Sequence, residues 1–290
     1  MITERIVLDN AEKLATPYFI DKAKLEKAIS EVTHRLKSFN TKHLEEEDGI
    51  YLPYMKLALG LVGKLNVQQM TSKDVAYIYD NPYSERGRFY AHRQEKGGEE
   101  CDTRIEMKSL VCVPLLLSAA NKKAENEYFR RAMNHMRTAE QLLIRHDGST
   151  FLEYKFTSKT SAPIVGIMPY DSNNSLSVLN HSYGIFGFSM AYAATGEEFL
   201  SDAHRGITLF WLNQMQKGFD YTDKMIILGA CISVVGIQRM AKLLPESDCD
   251  KAVFENACAR MLNAVIDNYE IQEKTAVNDC FYLLALKALS

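Results

Sequence analysis

The stretch from Tyr79 to Glu106 concentrates the side chains best suited to chemistry: Tyr79, Tyr83, Arg86, Arg88, Tyr90, His92, Arg93, Glu99, Glu100, Asp102, Arg104 and Glu106. Aromatic rings stack on sugar faces, and arginines fork onto carboxylates or phosphates. Two carboxylates can divide acid and base roles between them. A solvated surface loop explains any one of these residues alone. The segment as a whole exceeds the roughly 12–15 residues of an ordinary unstructured connection, which favours ligand contact. Just upstream, Asp74 stands between Lys73 and the apolar run Val75–Ile78. A carboxylate entering an apolar environment gains a raised pKa, as a general acid at neutral pH requires. Helix capping by the Thr71–Asp74 stretch is the alternative.

A second polar cluster, Asn180, His181 and Tyr183, precedes a glycine-rich apolar stretch ending at Tyr192. His181 has the side chain suited to acid or base work near neutrality, with a satisfied structural histidine as the alternative. Asp223 precedes a strongly apolar run, where capping alone explains it. Asp279, near the start of the last helical segment, reads equally as a cap or as a residue at the mouth of a site. His204 and Arg205 fall on an amphipathic pattern and are expected in solvent.

These groups must be positioned by helices. The spacing predicts helices over 23–37, 51–63, 107–120, 125–145, 183–195, 197–216, 224–243, 250–269 and 276–289. Pro114 must lie in the first turn of its helix or at a kink. The strand signal is confined to Ser149–Phe156, after the His146-Asp147-Gly148 turn, and suggests one short hairpin. Polar residues make 79–104 and 157–182 the two long loops. Phe129-x-x-Ala132, Leu200-x-x-Ala203 and Phe254-x-x-Ala257 each open a long amphipathic helix. Each of these follows a more apolar helix and a polar turn. The copies are 71 and 54 residues apart, not the roughly 34 of a tetratricopeptide solenoid. A repeated apolar–amphipathic pair fits inner and outer rings of helices, the logic of an (α/α) barrel in a single domain over 1–290.

Composition bounds the function. The chain has 290 residues, 47% hydrophobic and 24% charged, which is globular rather than fibrous or disordered. Thirty-four Lys and Arg against 37 Asp and Glu give a formal charge of -3, without the basic excess of a nucleic-acid binder. Glu4, Arg5, Asp9, Glu12 and Lys13 interrupt any leader-like apolar run, which points to the cytoplasm. The apolar run Met225–Val235 is too short to span a bilayer and reads as a core helix, so no membrane partner is expected. The six cysteines form no CxxC pair and read as buried free thiols; Met55, Met70, Met133 and Met136 read as core. No metal constellation, phosphate-binding glycine loop or GxSxG motif occurs, so neither metal nor cofactor is expected.

Five segments together resemble the unsaturated glucuronyl hydrolases, glycoside hydrolase family 88. Thr71–Ile78 is similar to the family's T-x-H-D-I/L-G-F-L/I. Val113-Pro114-Leu115-Leu116 resembles its N-L/I-P-L-L helix, and Arg145–Thr150 its R-x-D-G-S-T-Y-H strand. Gly187–Tyr192 with Thr195-Gly196-Glu197 looks like Y-G-F/L-A-L/M-A-Y-x-x-T-G-D/E. Asn278–Leu286 looks like the closing W-G-D-Y-Y-x-L-E-A-L. The order is collinear from about residue 50 onward.

The resemblance implies an all-α (α/α)6 barrel with its site at one mouth. It also implies hydration of the double bond of an unsaturated uronic acid, which releases the sugar. Two aspartates carry this in the family. One corresponds to Asp74. The other falls on Lys108, which cannot replace an acid; Glu106, two residues earlier, and Asp102, six earlier, are the neighbouring carboxylates. The strand histidine is Leu152 here. The W-A-R-G-Q-A-W segment aligns with Ser177–Tyr183, without its arginine and tryptophans. The resemblance thus implies acid/base chemistry at Asp74, with Glu106 or Asp102 as second carboxylate and His181 nearby. The substrate would be an oligosaccharide or sugar acid contacted by Tyr79, Tyr90, His92, Arg93, Arg104, Lys108, Asn180, Tyr183, Asp223 and Asp279. A related lyase or epimerase, a non-catalytic sugar-binding or assembly protein on the same scaffold, and an α-solenoid interaction scaffold are the alternatives.

Overall fold

The computed structural model describes residues 6–46, 50–65, 90–94, 100–114, 117, 127–158, 166–270 and 274–290. The helices are α1 (Ala11–Ala15), α2 (Lys22–Ser38), α3 (Leu52–Leu61), α4 (Glu127–Leu143), α5 (Ser175–Thr195), α6 (Glu198–Lys217), α7 (Lys224–Ala241), α8 (Cys249–Tyr269) and α9 (Ala276–Leu289). Thr41–Glu46 and Met107–Val111 are 3-10 turns. Their starts follow capping chemistry. Asp21 accepts from the Lys24 amide, Asn174 from Leu176 and Ser177, Asp248 from Asp250, and Thr275 from Asn278. α5 ends at Gly196, whose φ of 75° suits a residue without a side chain.

The helices divide into two kinds. Every residue of α5 from Ser177 to Ser189 is buried, and so is every residue of α7 from Ile226 to Val234. α2, α4, α6 and α8 bury only one face. The repeat positions Ala132, Leu200, Ala203, Phe254 and Ala257 all lie in that face. α5 packs on α7, α7 on α9, and α9 on α3; α6, α8 and α2 back α5, α7 and α9 from outside. The Met107–Val111 turn sits beside α5 and is joined to α3 by a bond from the Tyr54 hydroxyl to the Val111 carbonyl, 2.6 Å. Described elements thus run around a ring, inner helices lined by outer ones, as the repeated pairs predict.

Glycine sets the seam between α5 and α7. A β-carbon on Gly236 would lie 2.9 Å from the Phe186 Cα, and one on Gly229 3.2 Å from the Leu179 Cα. Seven residues separate each pair of contacts, so α5 and α7 run parallel with backbones nearly touching. α7 is the one described helix long and apolar enough to cross a membrane, longer than the Met225–Val235 run suggested. It is nevertheless packed between α5, α8 and α9.

The strand content exceeds the single hairpin expected. β1 (Tyr90–Gln94), β2 (Glu100–Glu106), β3 (Phe151–Ser158) and β4 (Gly166–Pro169) form one antiparallel sheet in that order. The segments read as two long loops therefore hold three strands, and the first two turns of α5. Over 107–120, the described part is a 3-10 turn, with helical backbone resuming at Val113 and Pro114. His204 is not solvated, while Arg205 stays partly exposed. His204 is fully buried, and Arg205 is held by Asp248 and Asp250 at 2.8 and 3.0 Å. Cys112, Cys231, Cys258 and Cys280 are buried as expected, while Cys249 is exposed. Met55, Met133 and Met136 are core; Met70 lies outside the described residues.

Candidate active site

One end of the ring gathers the inner elements' starts. Tyr51 at the head of α3 faces Tyr183 and Phe281, and one turn on, Tyr54 faces Phe186 and Phe281. Lys108 lies over Tyr51, and Val111 is bonded by Tyr54. Matching order on each element makes α3, α5 and the Met107–Val111 turn parallel. Their N-terminal ends, with the positive ends of the helix dipoles, therefore share one rim. The floor below that rim is aromatic. The Tyr51 and Tyr183 hydroxyls are hydrogen-bonded to each other, and the Lys108 ammonium stands 5.5 Å from the centroid of the Tyr51 ring. Burial raises the Tyr54 pKa well above that of a free phenol, so its hydroxyl stays protonated and keeps donating to Val111.

The sheet reaches the same end. Asn180, in the second turn of α5, donates to the Phe151 carbonyl at 3.5 Å and ties β3 to the ring. The β2–β3 register places Glu106 directly opposite Glu153. Residues so opposed have β-carbons about 4.5–5.5 Å apart, and like charges there repel, a placement strand pairing alone disfavours. Glu153 is buried, at 2% exposure, while Glu106 is half-buried. Glu153 escaped the sequence reading, because only the register, set by the bulge between Thr103 and Arg104, brings it to Glu106. Behind Glu106, the Ser109 hydroxyl donates to the Glu106 carbonyl at 2.5 Å and lies 2.8 Å from His135 Nε2.

The expected site residues separate into groups. Asp74 and Tyr79 lie outside the described residues. Tyr90, His92 and Arg93 are on β1, and Asp102 and Arg104 on β2. Alternation along β2 sets positions 102, 104 and 106 on one face, with Arg93 opposite Asp102; Tyr90 and His92 register with Ile105 and Thr103 on the other. Lys108, Tyr183 and Glu106 come together at the rim.

His181 does not join them. It is fully buried, its Nε2 donates to the Ile207 carbonyl at 2.9 Å, and its Nδ1 accepts from Thr150 at 3.0 Å. Its ring stacks on Trp211, 5.6 Å between centroids. Burial pushes its pKa down to about 4, so it is neutral near pH 7 and both nitrogens are committed. It is the satisfied core histidine rather than an acid or base. Asp223 caps α7, accepting from Met225 at 2.6 Å and Ile226 at 3.4 Å. Asp279 is held by Arg35 at 2.9–3.1 Å and by the Tyr269 hydroxyl at 2.9 Å, which locks α9 to α2 and α8. Burial, which would lower the Arg35 pKa, is outweighed there chiefly by Asp279, so the guanidinium stays charged.

Among the described residues, one group has metal-ligand types close together: Asp248, Cys249 and Asp250 at the start of α8, with ligand atoms within 4.8 Å of one another. Arg205 forks onto both of its aspartates and already supplies the positive charge. The cluster is therefore an ion pair at a helix start, away from the rim.

No family model matches the chain. By sequence, it is 30% identical over 198 residues to the unsaturated chondroitin disaccharide hydrolase of Streptococcus pyogenes serotype M1, across 64% of the chain and 49% of that relative. The corresponding Streptococcus pneumoniae protein is 26% identical over 231 residues, across 76% of the chain and 58% of the relative. The chain thus spans between half and three-fifths of the length of these curated relatives. Among solved structures, the unsaturated glucuronyl hydrolase of Streptococcus agalactiae superposes with a TM-score of 0.68 at 16% identity, over 99% of the chain and 97% of the neighbour. At that identity the likeness speaks for the fold: an (α/α)6 barrel.

Proposed function

We propose that this chain, a divergent member of the unsaturated glucuronyl hydrolase family, is a hydrolase that takes an oligosaccharide bearing an unsaturated uronic acid at the mouth of its ring. The observation that carries the reading is the opposed pair Glu106 and Glu153 at the end of β2, which leads directly into Lys108, whose ammonium stands over the Tyr51 ring of the Tyr51–Tyr183 floor. Paired carboxylates, a cation and aromatic faces are the groups that acid/base work on an acidic sugar needs.

In this reading Asp74 is the general acid/base, as its place in the Thr71–Ile78 motif implies. Glu106 is the second carboxylate, with Asp102 the nearest substitute on the same strand face. One group protonates the double bond while the other draws a proton from the attacking water. The hydrated sugar then opens and releases its neighbour, which requires only acid, base and water. Lys108 and Tyr183 hold the sugar acid, with Tyr90, His92, Arg93 and Arg104 from the strands and Tyr79 from the segment upstream in sequence. The reading treats 1–290 as one helical ring in the cytoplasm.

The decisive assay follows loss of the ultraviolet absorbance of unsaturated chondroitin and other unsaturated uronyl disaccharides. Turnover by the native protein, abolished in Asp74→Asn and Glu106→Gln, is the expected result. Absence of turnover across the panel would sink the hydrolase reading. A second reading, a sugar-binding protein on the same scaffold, is favoured by one observation: Lys108 stands where the family has its second aspartate. It predicts calorimetric binding of a glucuronate-bearing disaccharide without turnover.

A further inference from the structure

We propose that His135, acting through Ser109, is a positioning residue for the rim, fixing the turn that carries Glu106 and Lys108. The inference rests on the site proposed above and extends it to a group that touches no substrate. The Ser109 hydroxyl has one proton, and its 2.5 Å contact with the Glu106 carbonyl uses it. The 2.8 Å contact between Ser109 Oγ and His135 Nε2 must then run the other way, with His135 donating. Ser109 is fully buried and His135 is 3% exposed. With its proton committed and no path for a substrate, Ser109 is excluded as a nucleophile, although a serine–histidine pair invites that reading. What remains is a chain of two bonds from outer helix α4 to the end of β2.

That chain matters because a 3-10 turn holds itself poorly. Met107–Val111 is pinned at both ends by side chains from elsewhere: Glu106 O through Ser109 to His135, and Val111 O to the Tyr54 hydroxyl. Lys108 lies between the pins, over Tyr51. His135 is itself fixed, since Ala132, Met133, Met136 and Ala139 bury the same face of α4. Removing the His135 donor leaves the Ser109 hydroxyl free to turn away from Glu106, and the turn loses its upstream pin.

The test pairs kinetics with a probe of Lys108 itself. Lysines are reductively methylated with 13C, and the Lys108 resonance is assigned by its loss in Lys108→Arg. The ring current of Tyr51 shifts that resonance in the native protein. In His135→Phe the shift should collapse, and kcat/KM on the unsaturated chondroitin disaccharide should fall roughly 10–100-fold with KM raised. His135→Gln, which restores an amide donor, should recover most of both. A purely structural role would lower the folded fraction and the apparent kcat at constant KM, and would leave the resonance of the folded molecules in place. Should His135→Phe fail to fold, Ser109→Ala cuts the same chain with less disturbance and carries the same expectation. An unmoved Lys108 resonance and an unchanged KM in a folded variant would overturn the proposal. If the native protein turns over none of the disaccharides, yet the resonance still moves in His135→Phe and returns in His135→Gln, the positioning role stands and the hydrolase reading falls.

Discussion

The wall made by α5, α7 and α9 and the rim made by β2, β3 and the Met107–Val111 turn use polar side chains in opposite ways. In the wall, His181, Ser182, Ser189 and Asp279 are tied to structure, although the buried Ser233 hydroxyl has no partner among the described residues. His181 bridges Thr150 and Ile207, Ser182 donates to the Leu179 carbonyl, Ser189 to the Phe186 carbonyl, and Asp279 is clasped by Arg35 and Tyr269. At the rim, Glu106 and Glu153 are set opposite each other, where like charges repel, and a lysine is placed above an aromatic ring. These wall groups are bonded into the fold, whereas the rim brings two carboxylate-bearing positions face to face, a pairing that strands otherwise disfavour. That contrast separates residues that hold the ring from residues that act. Substitutions should therefore part along it, with wall changes moving stability and rim changes moving activity.

The largest effect is expected at the rim. Glu106→Gln keeps the size of the side chain and removes its charge. Activity on the unsaturated chondroitin disaccharide should fall about 10²–10⁴-fold, while the denaturation midpoint stays close to that of the native protein. A variant that lost activity and stability together would show that Glu106 belongs to the wall's kind of polar group.

This division was partly legible in the sequence. α6–α9 and the later part of α5 announce themselves by apolar spacing, by the Asp223 cap, and by the alternation of fully apolar with amphipathic helices. The rim was harder. β1 reads Tyr-Ala-His-Arg-Gln and β2 Glu-Cys-Asp-Thr-Arg-Ile-Glu, so neither shows the hydrophobic alternation that marks a strand. Glu106 was named from its place two residues before Lys108. Glu153 was not, because pairing across 47 residues depends on a bulge that no local pattern reveals. His204 misled because its charged neighbours Asp202 and Arg205 suggested water, whereas the helix period turns its ring inward; His181 lies in a stretch of α5 that is buried on every side, so the structural alternative applies there. Arg35 and Asp279 lie 244 residues apart, so only the closed ring discloses that Asp279 is an ion-pair partner.

The next effect belongs to the wall and depends on pH. His181 titrates near 4 in the folded protein because burial disfavours its charged form, against about 6.5 when unfolded. Between those values the unfolded chain binds a proton that the folded one does not, so stability is complete above pH 6.5 and drains away as the pH falls. By pH 4 the loss should be on the order of 3 kcal/mol from this group. Urea denaturation at pH 7 and pH 4 reads it directly. His181→Gln, already weaker at pH 7, should lose less on acidification; an equal loss would assign the decline elsewhere, first to the buried His204, whose pKa burial lowers to about 3.

A seam substitution should cost somewhat less. Gly236→Ala puts a methyl 2.9 Å from the Phe186 Cα and 3.1 Å from the Ile185 carbonyl oxygen, so α5 and α7 must separate. Overpacking of this kind costs about 1–3 kcal/mol, and the better helix propensity of alanine returns up to about 1. A net loss of about 1–2 kcal/mol is expected, with KM unchanged in the folded protein. A raised KM would mean that the seam transmits strain to Tyr183, three residues before Phe186, and would blur the line between wall and rim.

The smallest effect tests whether a rim address is enough to make a residue functional. Asp223 sits at the N-terminal start of an inner helix, as Lys108 and Tyr183 lie near theirs, and was read as a candidate contact. Its carboxylate is nevertheless turned onto its own helix, accepting from the Met225 and Ile226 amides. Asp223→Ala should cost about 1 kcal/mol, the worth of one cap, and Asp223→Asn or Asp223→Ser, which keep a capping oxygen, should restore most of it. If capping is its whole role, kcat and KM stay at native values in all three variants. A rise in KM that serine does not repair would move Asp223 from the wall to the rim, and would show that the start of α7 also faces the sugar.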